Sequence, residues 1–241
     1  QQRLRAEPDL LPTAIEELLR AYAPVTMARE AAVDTELGGC PVRAGRPLLL
    51  WSVERLARHR TIEQVVVVLG VHTHDRGRML LDSAGLTGVV TCAGGTTRAD
   101  SARSGLARLP DAGIILVHDA ARPLLDAALI DRVIAAARQT GAAIPVIPVS
   151  DTLHRRADRD VSGGVVDRDS LAAAQTPQAA RRDWLANALS HTDQSTDEGG
   201  MLQQAGYPVA LVAGETRNLK ITWPIDLIIA RAIMAAGEEA E

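Results

Sequence analysis

Short apolar runs recur along this chain at 64–69, 88–92, 114–117, 142–149 and 208–212, separated by segments of helical length. Runs that short, without polar alternation, suit strands buried on both faces, and strands spaced by helices suit βαβ units. The expected fold class is therefore α/β, a mostly parallel twisted sheet flanked by helices. Its core must be built from Val, Leu, Ile and Ala, because the chain has no Phe and only 2% of its residues are aromatic. Nothing reads as a linker, so 1–241 is taken as one domain.

Helical spacing predicts helices at 47–56, 73–84, 98–109, 126–139, 180–190, 197–205 and 223–236. Thr97-Arg-Ala-Asp100 has the spacing of a capping box at the start of one of them. Residues 1–20 read as a charged helix with Ile15, Leu18 and Leu19 on one face, and 21–27 as a first strand interrupted by Pro24. The alternation breaks at 151–169, a polar stretch turning at Ser162-Gly163-Gly164, which reads either as a surface loop or as a hairpin arm reaching a partner chain.

A net charge of −4 gives no general attraction to nucleic acid or to an anionic membrane, so any phosphate chemistry must be local. No run approaches the ~18 apolar residues of a membrane span. Cys40 and Cys92 make no metal-ligand spacing, and a reduced, cytoplasmic protein is expected.

Asp119 stands just past the run at 114–117, and Arg122 follows three residues later. The carboxyl ends of strands line the ligand crevice of open α/β sheets, where a carboxylate can hold a metal or a polar substrate; alternatively Asp119 caps the helix after Pro123. Of 26 basic residues all but Lys220 are arginine, so chemistry that needs a lysine has one candidate.

Further motifs lie at or beside strand ends: Gly94-Gly-Thr-Thr-Arg-Ala-Asp-Ser101, Asp151-Thr152, Val166-Asp-Arg-Asp-Ser-Leu171, Gln175-Thr-Pro-Gln178, Ser195-Thr-Asp-Glu198 and Asn218-Leu-Lys-Ile-Thr222. With His118-Asp-Ala-Ala-Arg-Pro123, their order and spacing from about Gly45 to Ala235 resemble the methylerythritol-phosphate cytidylyltransferases of non-mevalonate isoprenoid synthesis. The resemblance implies a homodimeric enzyme of Rossmann-like nucleotidyltransferase fold that joins CTP to methylerythritol phosphate and releases pyrophosphate. Carried over by position, Asp119 would bind Mg²⁺ at the nucleotide α-phosphate. Gly94, Gly95 and Ser101 would lie against the cytidine, with Arg98 in the same nucleotide motif, and Lys220 would neutralise charge on the attacked phosphorus. Arg168 and Thr196 would hold the acceptor phosphate, Arg168 coming from the partner subunit on the 151–169 arm, and Arg122, Thr152 and Thr176 would complete that pocket. Each also has a plainer reading: a turn at Gly94-Gly95, a surface charge at Lys220, a local pair between Arg168 and Asp167 or Asp169.

The family pattern is broken at the start. It calls for a strand, a glycine-rich loop that wraps the triphosphate, and Pro-Lys. Counting back without gaps, Pro24-Val-Thr-Met27 stands where Pro-Ala-Ala-Gly is expected, Arg29 and Ala31 replace the second glycine and the arginine, and Leu37-Gly38 replaces Pro-Lys. A cradle of converging backbone N–H groups needs those glycines. Arg29, Arg43 and Arg46 are the nearby cations, although a guanidinium does not occupy a lysine's position without rearrangement. The sequence thus leaves three readings: a cytidylyltransferase, a nucleotidyltransferase of changed substrate, or an impaired relative acting as a sugar-phosphate-binding or regulatory dimer.

Overall fold

The computed structural model describes residues 35–37, 40–42, 48–191 and 195–238. The expected helix at 1–20, the strand at 21–27, the departures at Pro24–Met27, Arg29, Ala31 and Gly38, and the nearby cations Arg43 and Arg46 lie outside them. In chain order the elements are β1 (Thr35–Leu37), β2 (Cys40–Val42), α1 (Leu48–Ala57), β3 (Val66–Leu69), α2 (His74–Ser83), β4 (Val90–Ala93), α3 (Arg98–Leu106), β5 (Ile114–Val117), α4 (Ala127–Thr140) and β6 (Ala142–Pro148). There follow β7 (Leu153–Asp158), β8 (Val161–Val166), β9 (Ala172–Ala174), β10 (Gln178–Arg181), α5 (Arg182–His191), α6 (Glu198–Gln204), β11 (Ala210–Ala213) and α7 (Pro224–Glu238). The α/β expectation is borne out, with most boundaries within a few residues of those read from the spacing.

The central sheet holds one antiparallel insertion: β5, β6 and β11 share one direction, and β10 with β9 runs against them. β11 runs parallel to β6, but β10 runs antiparallel to both β5 and β6, and β9 antiparallel to β6. Ala143 and Val146 each pair with β11 on one edge, so β10 at Ala143 and β9 at Val146 share the other edge. These two segments therefore form one edge of β6, broken at Gln175-Thr176-Pro177, and the break lets those side chains leave the ladder. β3 and β4 pair in parallel, and no ladder joins β3 to β5 among the described residues. A cavity of about 880 Å³ lies between them, touching Val66, Val68, Ile114, Leu116, Ser101 and His118.

Both faces of the central sheet are covered. On one, Leu129, Ile130, Val133, Ile134 and Ala137 of α4 pack on Ala143 and Ala179. On the other, α3, α5 and α6 bring Leu106, Leu185, Leu189, Met201 and Leu202 against Ile115, Ala142 and Ala180. Asp126 caps α4 by accepting from Ala128 N–H, and Gly141 closes it at φ 92°, a left-handed conformation that glycine adopts without strain. α1, β3 and α2 share a further cluster, which includes Ala120 of the loop after β5. The 151–169 stretch is the hairpin β7–β8, paired only with itself among the described residues.

Candidate active site

β5 ends at Val117, which puts His118 and Asp119 on the first residues past the strand. The Asp119 carbonyl accepts from Arg122 N–H at 2.9 Å, turning the chain, and α4 is capped by Asp126 rather than Asp119. Asp119 is thus left to other work. Its Oδ2 lies 2.9 Å from Lys220 Nζ, so the chain's one lysine and the motif aspartate meet across the sequence. Lys220 is placed by its neighbour: Ile221 is buried with Leu48 and Ala230, and its N–H donates to Ala121 O at 2.8 Å. Burial opposes ionisation of Asp119, but the Lys220 ammonium, aided by His118 and Arg122, holds the carboxyl below its ordinary value.

A chain of hydrogen bonds fixes the backbone behind that pair. Asp119 N–H donates to Thr176 Oγ1 at 3.0 Å, and Thr176 Oγ1 lies 3.1 Å from His118 Nδ1. His118 Nε2 lies 3.1 Å from the Arg122 carbonyl, an acceptor only. Nε2 therefore carries the proton and Nδ1 accepts from Thr176. Burial is the chief reason that the His118 pKa falls to about 4, so the ring is neutral near pH 7.

Arg122 Nη1 donates to Asn218 O at 2.8 Å, and fully buried Asn218 donates from Nδ2 to Thr176 O at 2.8 Å. Gln175 clamps Glu215, donating to its carbonyl at 2.8 Å and accepting its N–H at 3.1 Å. The break between β9 and β10 is thereby tied to the segment that delivers Lys220. Burial lowers the pKa of Arg122, and its Nε is buried without a hydrogen-bond partner.

Gly94 and Gly95 follow β4. Gly94 N–H donates to Leu69 O at 2.7 Å, and Gly95 N–H to Ser101 Oγ at 3.3 Å. A Cβ on Gly94 would come within 2.8 Å of Ser101 Oγ, and one on Gly95 would collide with Asp100 Cβ. The pair is thus required by the close approach of its own helix. That helix carries the expected capping box, with Thr97 accepting from Asp100 N–H and the Asp100 carboxylate accepting from Thr97 N–H. The Arg98 guanidinium is paired with Glu198 rather than presented freely to a ligand.

The expected site residues fall into separate groups. Asp119, Arg122, Thr176 and Lys220 are brought together; Gly94, Gly95, Arg98 and Ser101 form the neighbouring turn and helix start; Thr196 is exposed just before α6. Thr152 and Arg168 lie on the exposed arm, and no hydrogen bond or ion pair joins them to Asp119 among the described residues. Arg168 Nη1 donates to Ser150 O at 2.6 Å, which displaces the local pairing with Asp167 or Asp169. His118, Gln175, Gln178, Glu198 and Asn218 carry structure that the sequence assigned to no role. Their one signal was polarity inside segments that also hold site residues.

The donor chemistry fits Mg²⁺. Asp119 offers a hard oxygen, and no cluster of three or more His, Cys, Asp or Glu stands together among the described residues. An ion that takes one or two carboxylates and fills its remaining positions with water and substrate phosphates needs no such cluster.

Residues 42–236 match the family model IspD, 2-C-methyl-D-erythritol 4-phosphate cytidylyltransferase. The enzyme of that name in Frankia casuarinae is 38% identical over 235 residues, covering 90% of this chain and 86% of that protein. A bifunctional enzyme IspD/IspF of Desulfotalea psychrophila is 39% identical over 199 residues, 81% of this chain; the chain spans about half of that relative's length, 51%. The crystal structure of the cytidylyltransferase from Thermus thermophilus superposes with a TM-score of 0.65 at 37% identity, covering 78% of this chain and 89% of that one.

Proposed function

The chain belongs to the 2-C-methyl-D-erythritol 4-phosphate cytidylyltransferase family, and on that premise we propose that it transfers CMP from CTP to 2-C-methyl-D-erythritol 4-phosphate. An oxygen of the acceptor phosphate bonds to the nucleotide α-phosphorus, the α–β bridging bond breaks, and its electron pair leaves on pyrophosphate. The observation that carries this reading is the Lys220 Nζ–Asp119 Oδ2 contact at 2.9 Å, which sets a fixed cation beside a hard oxygen donor at a strand end. Nucleotidyl transfer asks a protein mainly for positioning and for cations around the α-phosphate. Mg²⁺, held by Asp119, would supply a second positive centre at the phosphate oxygens. Lys220 would face the same oxygens, while the His118–Thr176 chain keeps the Asp119 backbone still. Arg122, Thr152, Thr176 and Thr196 would form the acceptor pocket. Arg168 would reach it from the partner subunit of a homodimer, along the β7–β8 arm.

The family model's match begins at residue 42, after the position of the triphosphate loop, and this favours a second reading. The chain then binds the acceptor phosphate as a dimer without turning it over. Pyrophosphate release with Mg²⁺, CTP and methylerythritol phosphate separates the two. Turnover abolished by both Asp119→Asn and Lys220→Ala supports the transferase. No turnover, with acceptor binding that depends on Arg168, supports the binding dimer.

A further inference from the structure

Arg98 and Glu198 are 100 residues apart in sequence, yet they form a close ion pair with only 15% and 2% of their side chains exposed. Neither is fully satisfied: Arg98 Nη1 and Glu198 Oε1 are buried without hydrogen-bond partners. A buried pair in that condition is a poor stabilising device, since two apolar side chains of similar volume serve as well or better. Its position says more. Arg98 is the first residue of α3, one past the Thr97 cap, in the segment that begins at Gly94-Gly95. Glu198 is the first residue of α6, one past the Asp197 cap and two past Thr196. Both ends are anchored independently of the pair. Asp100 holds Thr97 N–H and the Thr96 hydroxyl, while Gln178 donates to Asp197 Oδ2 at 2.9 Å and accepts Gly199 N–H at 2.8 Å.

We propose that Arg98 and Glu198 are a positioning pair, a rigid tie that sets the spacing between the Gly94-Gly95 turn on the nucleotide side and the Ser195–Asp197 segment on the acceptor side. The assignment of sides rests on the function proposed above; the tie itself does not. Neither residue acts on a reacting atom. The pair fixes the relative placement of two groups of backbone that must be held within fractions of an ångström for in-line transfer.

The decisive variants are Glu198→Gln, which keeps shape and removes charge, and the double change Arg98→Leu/Glu198→Met, which fills the space with apolar side chains. The single variant is expected to lower the melting temperature, because it leaves a buried guanidinium uncompensated. The double variant is expected to melt at or above wild type. Its amides at 94–101 and 195–200 should nevertheless exchange with solvent about tenfold faster, as the two starts move independently. In turnover, its KM for nucleotide and for acceptor should each rise about tenfold, with a smaller change in kcat. A double variant with wild-type exchange at both segments overturns the proposal whatever its activity. A wild-type protein that releases no pyrophosphate overturns the transferase reading instead, and the exchange comparison still decides the tie.

Discussion

At Lys220 one side chain sets the electrostatics of Asp119 and, on the function proposed above, supplies the cation for the chemistry. Removing a cation that acts on transition-state charge costs a factor of about 10²–10³ or more in rate. Lys220→Ala is therefore expected to lower kcat by at least that factor and to lower the melting temperature modestly, since it leaves the mostly buried Asp119 carboxylate without its cation. The same variant should raise the Asp119 pKa, because burial is then opposed only by the weaker His118 and Arg122 contributions. A carbon-13 titration of the carboxyl reads that shift, and an unchanged Asp119 would show that Lys220 is not its governing partner. His118 sets a different pH dependence. Its pKa falls from 6.5 to about 4 in the folded chain, so between those values the unfolded chain binds a proton that the native ring refuses. Stability contributed by the neutral ring is complete above about pH 6.5 and is lost as pH falls towards 4, in total by roughly 3 kcal/mol. Urea unfolding at pH 7 and pH 4.5 should show this loss in wild type and a flatter profile in His118→Gln. Equal slopes in the two proteins would assign the acid sensitivity elsewhere.

Among the elements, those with strong periodicity were readable from sequence, and those made by tertiary context were not. α4 declares itself through Leu129, Ile130, Val133, Ile134 and Ala137 and through its Asp126 and Gly141 ends. α3 does so through its capping box. β9 and β10 do not, because Ala172-Ala-Ala174 and Gln178-Ala-Ala-Arg181 have neither β-branched residues nor alternation. β10 is a strand because β5 and β6 leave a place for it, where Ala179 lies under α4 and Ala180 under the α3–α5–α6 layer. That antiparallel insertion is the one element of the central sheet that the expectation of a mostly parallel sheet did not contain. The candidate site divides in the same way. Asp119 and Lys220 carry their chemistry in their residue types, whereas Gln175, Asn218 and the Arg98–Glu198 tie depend on contacts about 40 to 100 residues apart that no local pattern encodes. The explanation for β10 is testable. Ala179 and Ala180 are each 2% exposed, so Ala180→Leu should cost about 1–3 kcal/mol through overpacking, while Ala172→Val on exposed β9 should be neutral or mildly stabilising. Thermal melts that rank the two the other way would remove the packing argument.

The whole molecule poses the question of what the β7–β8 hairpin is for. It extends from the sheet with Val161 and Val165 exposed at 59% and 67%, and a lone two-stranded hairpin is marginal in water. Arg168 stands just past its end, bonded to Ser150 O and not to the Asp119 group. If the arm crosses to a second copy, a complete site combines Asp119 of one chain with Arg168 of the other, and each chain of a two-fold dimer both gives and receives. Two inactive variants should then restore each other. Asp119→Asn retains a good Arg168, and Arg168→Ala retains a good Asp119, so a mixed dimer contains one site with both native residues. Unfolding and refolding the two at equal amounts makes half of the dimers mixed, and activity should return to about a quarter of wild type. A within-chain arrangement predicts something different: every site in every dimer lacks one of the two residues, and mixing restores nothing. Light scattering on the same samples gives the control. Recovery without dimers, or dimers without recovery, would each sever the link between the arm and the site.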